Sequence, residues 1–128
     1  MSSHQTLIAD VYAAFNQRNI DAVFAFMAED VNWPRASEGG RALGKDEIRA
    51  YWTRQWKESD PHVTPVEVID RGNGQIHVRV HQVVRSIAGD VLLDTEVWHI
   101  YKLRNSLIER MDVNQTEPDP DPPRTSPR

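Results

Sequence analysis

Cysteine is absent from all 128 residues. Its absence excludes disulfides, thiolate nucleophiles and cysteine-based zinc sites together. No stretch approaches the roughly 18 apolar residues of a membrane span. The first residues, Met1-Ser2-Ser3-His4-Gln5, lack the basic start and apolar block of a signal peptide, so a cytoplasmic protein with no membrane partner is expected. Positive charge is in deficit. The net charge is −4, and no clustered basic field is present to hold nucleic acid. There is no Gly-x-Ser-x-Gly elbow of a hydrolase. Gly72-Asn73-Gly74 is followed by neither a Lys-Ser/Thr pair nor a helix, so it reads as a turn and not a phosphate loop. His77 and His81 stand four apart, but the Ile and Val residues around them indicate a strand. Four strand residues span about 13 Å, too far to share a metal. No metal site and no cofactor are expected.

The hydrophobic content of 39% and charged content of 27% are those of an ordinary globular protein, and the length suits a single core. Leu7, Ile8, Val11, Tyr12 and Phe15 recur at helical spacing. Asn19 suits an N-cap for a second helix with Val23, Phe24, Phe26 and Met27 on its buried face, ended by Glu29-Asp30. Val31-Asn32-Trp33 reads as a short strand interrupted by Pro34, and Arg35 to Gly44 as a loop. A third helix is expected over 45–57, burying Ile48, Tyr51, Trp52 and Trp56. From Val63 the period becomes two, with strands over 63–69, 75–85, 91–103 and 107–115. Pro65 in the first of these suits an edge or a bulge. Three helices followed by an antiparallel meander is an α+β plan. The domain spans 1–115, and the Pro-rich acidic segment 116–128 is expected to be a disordered tail.

The last hairpin carries most of the chemistry. With Asn105-Ser106 as a two-residue turn, Arg104 faces Leu107, Lys102 faces Glu109, Tyr101 faces Arg110 and His99 faces Asp112. This register pairs opposite charges. It sorts Trp98, Ile100, Met111 and Val113 to one face and His99, Tyr101, Arg110 and Asp112 to the other. A carboxylate beside an imidazole fixes its tautomer and raises its basicity, the arrangement general acid–base catalysis needs. The same four groups would also make a structural ion-pair network. The sheet face of the strand over 75–86 is left unassigned.

The stretch Val97-Trp98-His99-Ile100-Tyr101-Lys102-Leu103-Arg104, followed by Leu107-Ile108-Glu109-Arg110-Met111-Asp112-Val113-Asn114-Gln115, resembles the final hairpin of SnoaL-like proteins. Asp112 and Gln115 fall on the Asp and Gln of that pattern. His99 falls where the polyketide cyclases of this group place a pocket histidine. Arg110 replaces a His and Met111 a Trp, and the turn is one residue shorter. The order Tyr12-Ala13-Ala14-Phe15-Asn16, Asn19-Ile20-Asp21, Met27-Ala28-Glu29-Asp30-Val31 and Gly44-Lys45-Asp46-Glu47-Ile48 is similar to the first half of the same superfamily. The resemblance covers residues 5 to 115. It implies the cystatin-like cone of the ketosteroid isomerase and nuclear transport factor 2 superfamily, with three helices on a curved antiparallel sheet around a pocket. It also implies a homodimer through the sheet face bearing Trp98, Ile100, Met111 and Val113. Ketosteroid isomerases place a catalytic Asp before a Pro at the first strand. Here Trp33 precedes Pro34, so steroid isomerisation by that machinery is not expected.

On this resemblance Asp112 is the proton-transfer group and His99 its partner, acting on a carbonyl or oxygenated substrate. Arg110 and Tyr101 would orient the substrate oxygen. Tyr12, Phe15, Trp33, Tyr51, Trp52 and Trp56 would line an aromatic-walled cavity for a flat hydrophobic ligand, although each alone also fits plain core packing. The rival readings are a hydrophobic-ligand binder without catalysis and a pure interaction module.

Overall fold

A computed structural model describes residues 3–117. The first helix, α1, covers Ser3–Asn16. The second, α2, is a single short turn over Ile20–Phe24. Asn19 caps it, its side chain accepting from the Ala22 N–H at 3.2 Å. The third helix, α3, runs Lys45–Glu58 and buries Ile48, Tyr51 and Trp52. Six strands complete the chain: β1 Met27–Pro34, β2 Arg41–Leu43, β3 Ser59–Gly72, β4 Gln75–Ser86, β5 Val91–Arg104 and β6 Leu107–Asn114. They form one sheet in the order β2-β1-β6-β5-β4-β3. It is antiparallel except where β1 runs parallel to β6. The expected α+β cone is the fold observed.

Two early elements differ from expectation. Phe26 and Met27 do not extend α2, because Met27 opens β1. The Phe26 carbonyl accepts the Ile108 N–H at 2.8 Å, so pairing with β6 takes over an apolar run that could equally have been helical. The loop expected over 35–44 contains β2, paired to β1 through Asn32–Leu43 and Trp33–Ala42. Pro34 does end β1. Pro65 faces Val80 beside a bulge in the edge strand β3, as its position in the sequence suggested.

The helices pack against one face of the sheet, and the core lies between. Ile8, Val11 and Val23 on the helical side meet Ile76, Val78, Val80 and Val97 on the strands. The β3–β4 turn comes very close to β5: a Cβ at Gly74, where φ is +79°, would stand 2.5 Å from the Leu103 carbonyl oxygen. On the opposite, outer face, His77 is fully buried and bonds Glu117 through Nδ1 at 2.7 Å, and Glu117 also pairs with Arg71. The tail expected from Thr116 lies, beyond Glu117, outside the described residues. Among the described residues no helix is long and apolar enough to cross a membrane.

Candidate functional site

The β5–β6 hairpin decides which side chains enter the cone. Asn105 and Ser106 both have positive φ, 54° and 65°, as a two-residue type I′ turn requires. Arg104 faces Leu107, and Leu103 faces Ile108. At Glu109 the strand then bulges, so that Lys102 faces Arg110, Tyr101 faces Met111, Ile100 faces Asp112 and His99 faces Val113. A bulge places one extra residue against the partner strand and moves every later residue by one position. The register inferred from the turn alone is therefore corrected beyond Leu103. His99 and Tyr101 share the inner face with Met111 and Val113, whereas Arg110 and Asp112 share the outer face with Trp98 and Ile100. The apolar dimer patch expected from Trp98, Ile100, Met111 and Val113 is split between the two faces.

On the outer face Asp112 is over a third exposed and is held by cations. Arg110 donates to both of its carboxylate oxygens, Nε at 2.8 Å and Nη2 at 3.1 Å. Arg41 of β2 donates to Oδ1 at 3.0 Å and to the Met111 carbonyl at 2.7 Å, and its Nε reaches Asn32 Oδ1 at 2.6 Å. Partial burial alone would raise the Asp112 pKa, but Arg110, followed by Arg41, holds it below the ordinary carboxylate value. Asp112 and Arg110 thus form a strand-bridging ion network, and neither lines the cavity.

The cavity lies between the helices and the inner face of the sheet, with an empty volume of about 690 Å³ including its open mouth. Of the residues singled out from the sequence, Tyr12, Phe15, Trp33, Tyr51, Trp52, His99 and Tyr101 line it. Trp56 does not. It stacks behind Trp52, with centroids 5.7 Å apart and planes at 27°, and the Arg18 guanidinium lies 5.0 Å from its ring centre. Trp52 is the hub of the wall, meeting Phe15 at 5.3 Å and Trp33 at 5.6 Å, both edge-on. Such tilted contacts suit the aromatic quadrupole and keep the wall rigid. The Tyr51 hydroxyl accepts the Ser37 N–H at 3.1 Å, tying the loop before β2 to α3.

Three polar side chains meet inside. Tyr101 O–H donates to the Tyr12 oxygen at 2.8 Å, and the Tyr12 hydroxyl lies 2.7 Å from His99 Nδ1. Tyr12 is 4%, Tyr101 1% and His99 8% exposed. Burial lowers the His99 pKa to about 4, leaving the ring neutral at pH 7. Burial also raises both phenols, and the Tyr101 hydroxyl raises Tyr12 further. The proton order follows. With Tyr101 donating to Tyr12, the arrangement that leaves no buried hydroxyl proton unpaired has Tyr12 donating to His99 Nδ1 and the imidazole proton on Nε2. In that arrangement Nε2–H is the ring's remaining donor. Among the described residues none of the cavity lining is Asp, Glu, Lys or Arg.

Two polar lining residues were not picked out from the sequence, Gln55 and Gln82. Both carried a signal. Gln55 stands four after Tyr51 and three after Trp52, on the same helical face. Gln82 continues the period-two series Ile76, Val78, Val80, whose inward phase needed the register with β5 to fix it.

The family of SnoaL-like domains matches residues 8–111 of the chain. No curated protein matches it significantly. Its fold is similar to that of an NTF2-like protein of unknown function from Burkholderia pseudomallei, at 24% identity and TM-score 0.78, over 91% of this chain and 92% of that one. TerC, crystallised with polyporic acid, is also 24% identical with TM-score 0.78, over 90% and 92% of the two chains. A putative polyketide cyclase from Sinorhizobium meliloti is 18% identical with TM-score 0.73, over 89% and 100%.

Proposed function

The chain belongs to the family of SnoaL-like domains, and on that premise we propose that its cavity binds a flat, largely apolar small molecule by an oxygen seated on the Nε2–H of neutral His99. The observation that carries this reading is the buried Tyr101–Tyr12–His99 chain, which ends in a donor inside an aromatic cavity without an ionised side chain. A neutral donor in an apolar pocket favours a carbonyl, hydroxyl or phenol oxygen. TerC, a protein of the same fold, was co-crystallised with polyporic acid, which supports a small-molecule ligand.

One observation favours a second reading, an isomerase or cyclase. A neutral imidazole donor can polarise a carbonyl and stabilise an enolate in a water-poor site. That reading still needs a proton acceptor. Asp112 faces away from the cavity and is held ionised by arginines, so it does not serve, and ligand binding is the better supported function.

The test is a pair of probes differing in one oxygen, 2-naphthol and naphthalene, titrated against the tryptophan fluorescence of the protein. The wild type should prefer 2-naphthol, and His99→Phe should reduce that preference by roughly tenfold, the equivalent of one net hydrogen bond. Naphthalene affinity should change little. Equal affinity of the wild type for both probes, or no binding of either, would remove the reading.

A further inference from the structure

The cavity has a second polar station, far from His99. In the β4–β5 ladder His99 faces Val78, and Gln82 lies four residues farther along β4 on the same inward phase. Four strand residues place it about 13 Å away along the sheet. Gln82 is partly exposed and lines the cavity, and its side chain makes no hydrogen bond among the described residues. Gln55 lines the same cavity from α3, also partly exposed, with one long contact, Nε2 to the Tyr51 hydroxyl at 3.4 Å. His99 and Tyr101, by contrast, are buried. The polar groups therefore divide into an inner anchor of His99, Tyr12 and Tyr101 and an outer set of two amides, one from the helical wall beside the Tyr51 hydroxyl and one from the sheet.

We propose that Gln55 and Gln82 form a second ligand subsite at the mouth of the cavity. The molecule it holds is two-ended, a flat ring system with one oxygen function on His99 and a second hydroxyl or carbonyl at its opposite end between the two amides. Each amide offers both a donor and an acceptor, so the pair accommodates either kind of oxygen. A carboxylate or phosphate would find no cation among the lining residues. Gln82 and Gln55 are then specificity-determining residues. They select ligand length and the presence of the far oxygen without touching the inner end.

This inference rests on His99 being the inner anchor, and the experiment separates the two ideas. The probes are 4-phenylphenol, with one hydroxyl, and 4,4′-biphenol, with a hydroxyl at each end, both titrated calorimetrically. The wild type should bind the biphenol roughly tenfold more tightly than the phenylphenol. In Gln82→Leu and in Gln55→Leu that advantage should fall several-fold, with phenylphenol affinity unchanged or slightly improved. Gln55 lies partly exposed on a helix, so its variant serves should Gln82→Leu fold poorly. If phenylphenol binds but the ratio is the same in wild type and both variants, the mouth subsite is wrong and the inner anchor stands. If neither probe binds the wild type, the anchor fails and the subsite with it.

Discussion

His99 shows how burial redirects a side chain that sequence alone suggests for proton transfer. Beside a carboxylate it would be a base with a raised pKa. Behind Tyr12 and away from Asp112 it is a neutral donor, its pKa lowered by burial from 6.5 to about 4. The folded value lies below the unfolded one, so between about pH 6.5 and 4 the unfolded chain binds the extra proton. The contribution of His99 to stability is complete above pH 6.5 and is lost as pH falls toward 4. Across that window the loss approaches about 3 kcal/mol. Urea unfolding at neutral pH and near pH 5 should show this decline, and His99→Gln should flatten it. Asp112 and Glu117 have folded pKa values below their ordinary ones, so their losses fall at lower pH and do not mimic it. Equal pH dependence in wild type and variant would contradict a buried neutral His99.

Among the elements, the β5–β6 hairpin turns on one turn and one bulge. Ser106 holds a positive φ of 65° without being glycine, a conformation that costs roughly 1–2 kcal/mol for a residue with a Cβ. Ser106→Gly should raise the unfolding free energy by about 1 kcal/mol, measured by chemical denaturation, with the fold unchanged. A loss of stability would show that the turn is not of the I′ kind. The turn was legible from Asn105-Ser106 between two alternating runs. The bulge was not, because the feature that recommended a straight ladder survives it. Glu109 still pairs with Lys102 at 3.6 Å and with Arg104 at 3.1 Å. Long side chains reach across a one-residue shift, so charge pairing fixes a register only loosely. Steric burial fixes it better, since Met111 and Val113 fill the inner face that Arg110 and Asp112 would have had to enter charged. The aromatic wall was legible because Tyr12 and Phe15, and Tyr51 and Trp52, share helical faces. Trp56, four beyond Trp52, belongs to that face too, yet it packs one layer back against Phe15 and Arg18. Met27 shows the remaining limit: an apolar residue after a short helix reads as helix until its strand partner is known.

At the scale of the molecule, charge and chemistry are separated by the sheet. The outer face carries Asp112 with Arg41 and Arg110, and Glu117 with Arg71 and His77. The inner face carries the apolar core and a neutral hydrogen-bonded chain. An acidic protein of this kind presents its ionised groups to solvent and keeps its cavity free of them, an arrangement suited to holding an uncharged oxygenated ring system. Membership in the SnoaL-like family fixes the cone but not the chemistry inside it, because one fold hosts many sites. The proposed ligand binding rests on the proton that His99 carries. The most direct measurement is therefore the ¹⁵N spectrum of the His99 imidazole, recorded with and without 2-naphthol at neutral pH. A neutral ring protonated at Nε2, whose Nε2 resonance moves on adding the naphthol while Nδ1 stays bonded to Tyr12, is the predicted result. A ring that is doubly protonated, or an Nε2 that ignores the ligand, would contradict it.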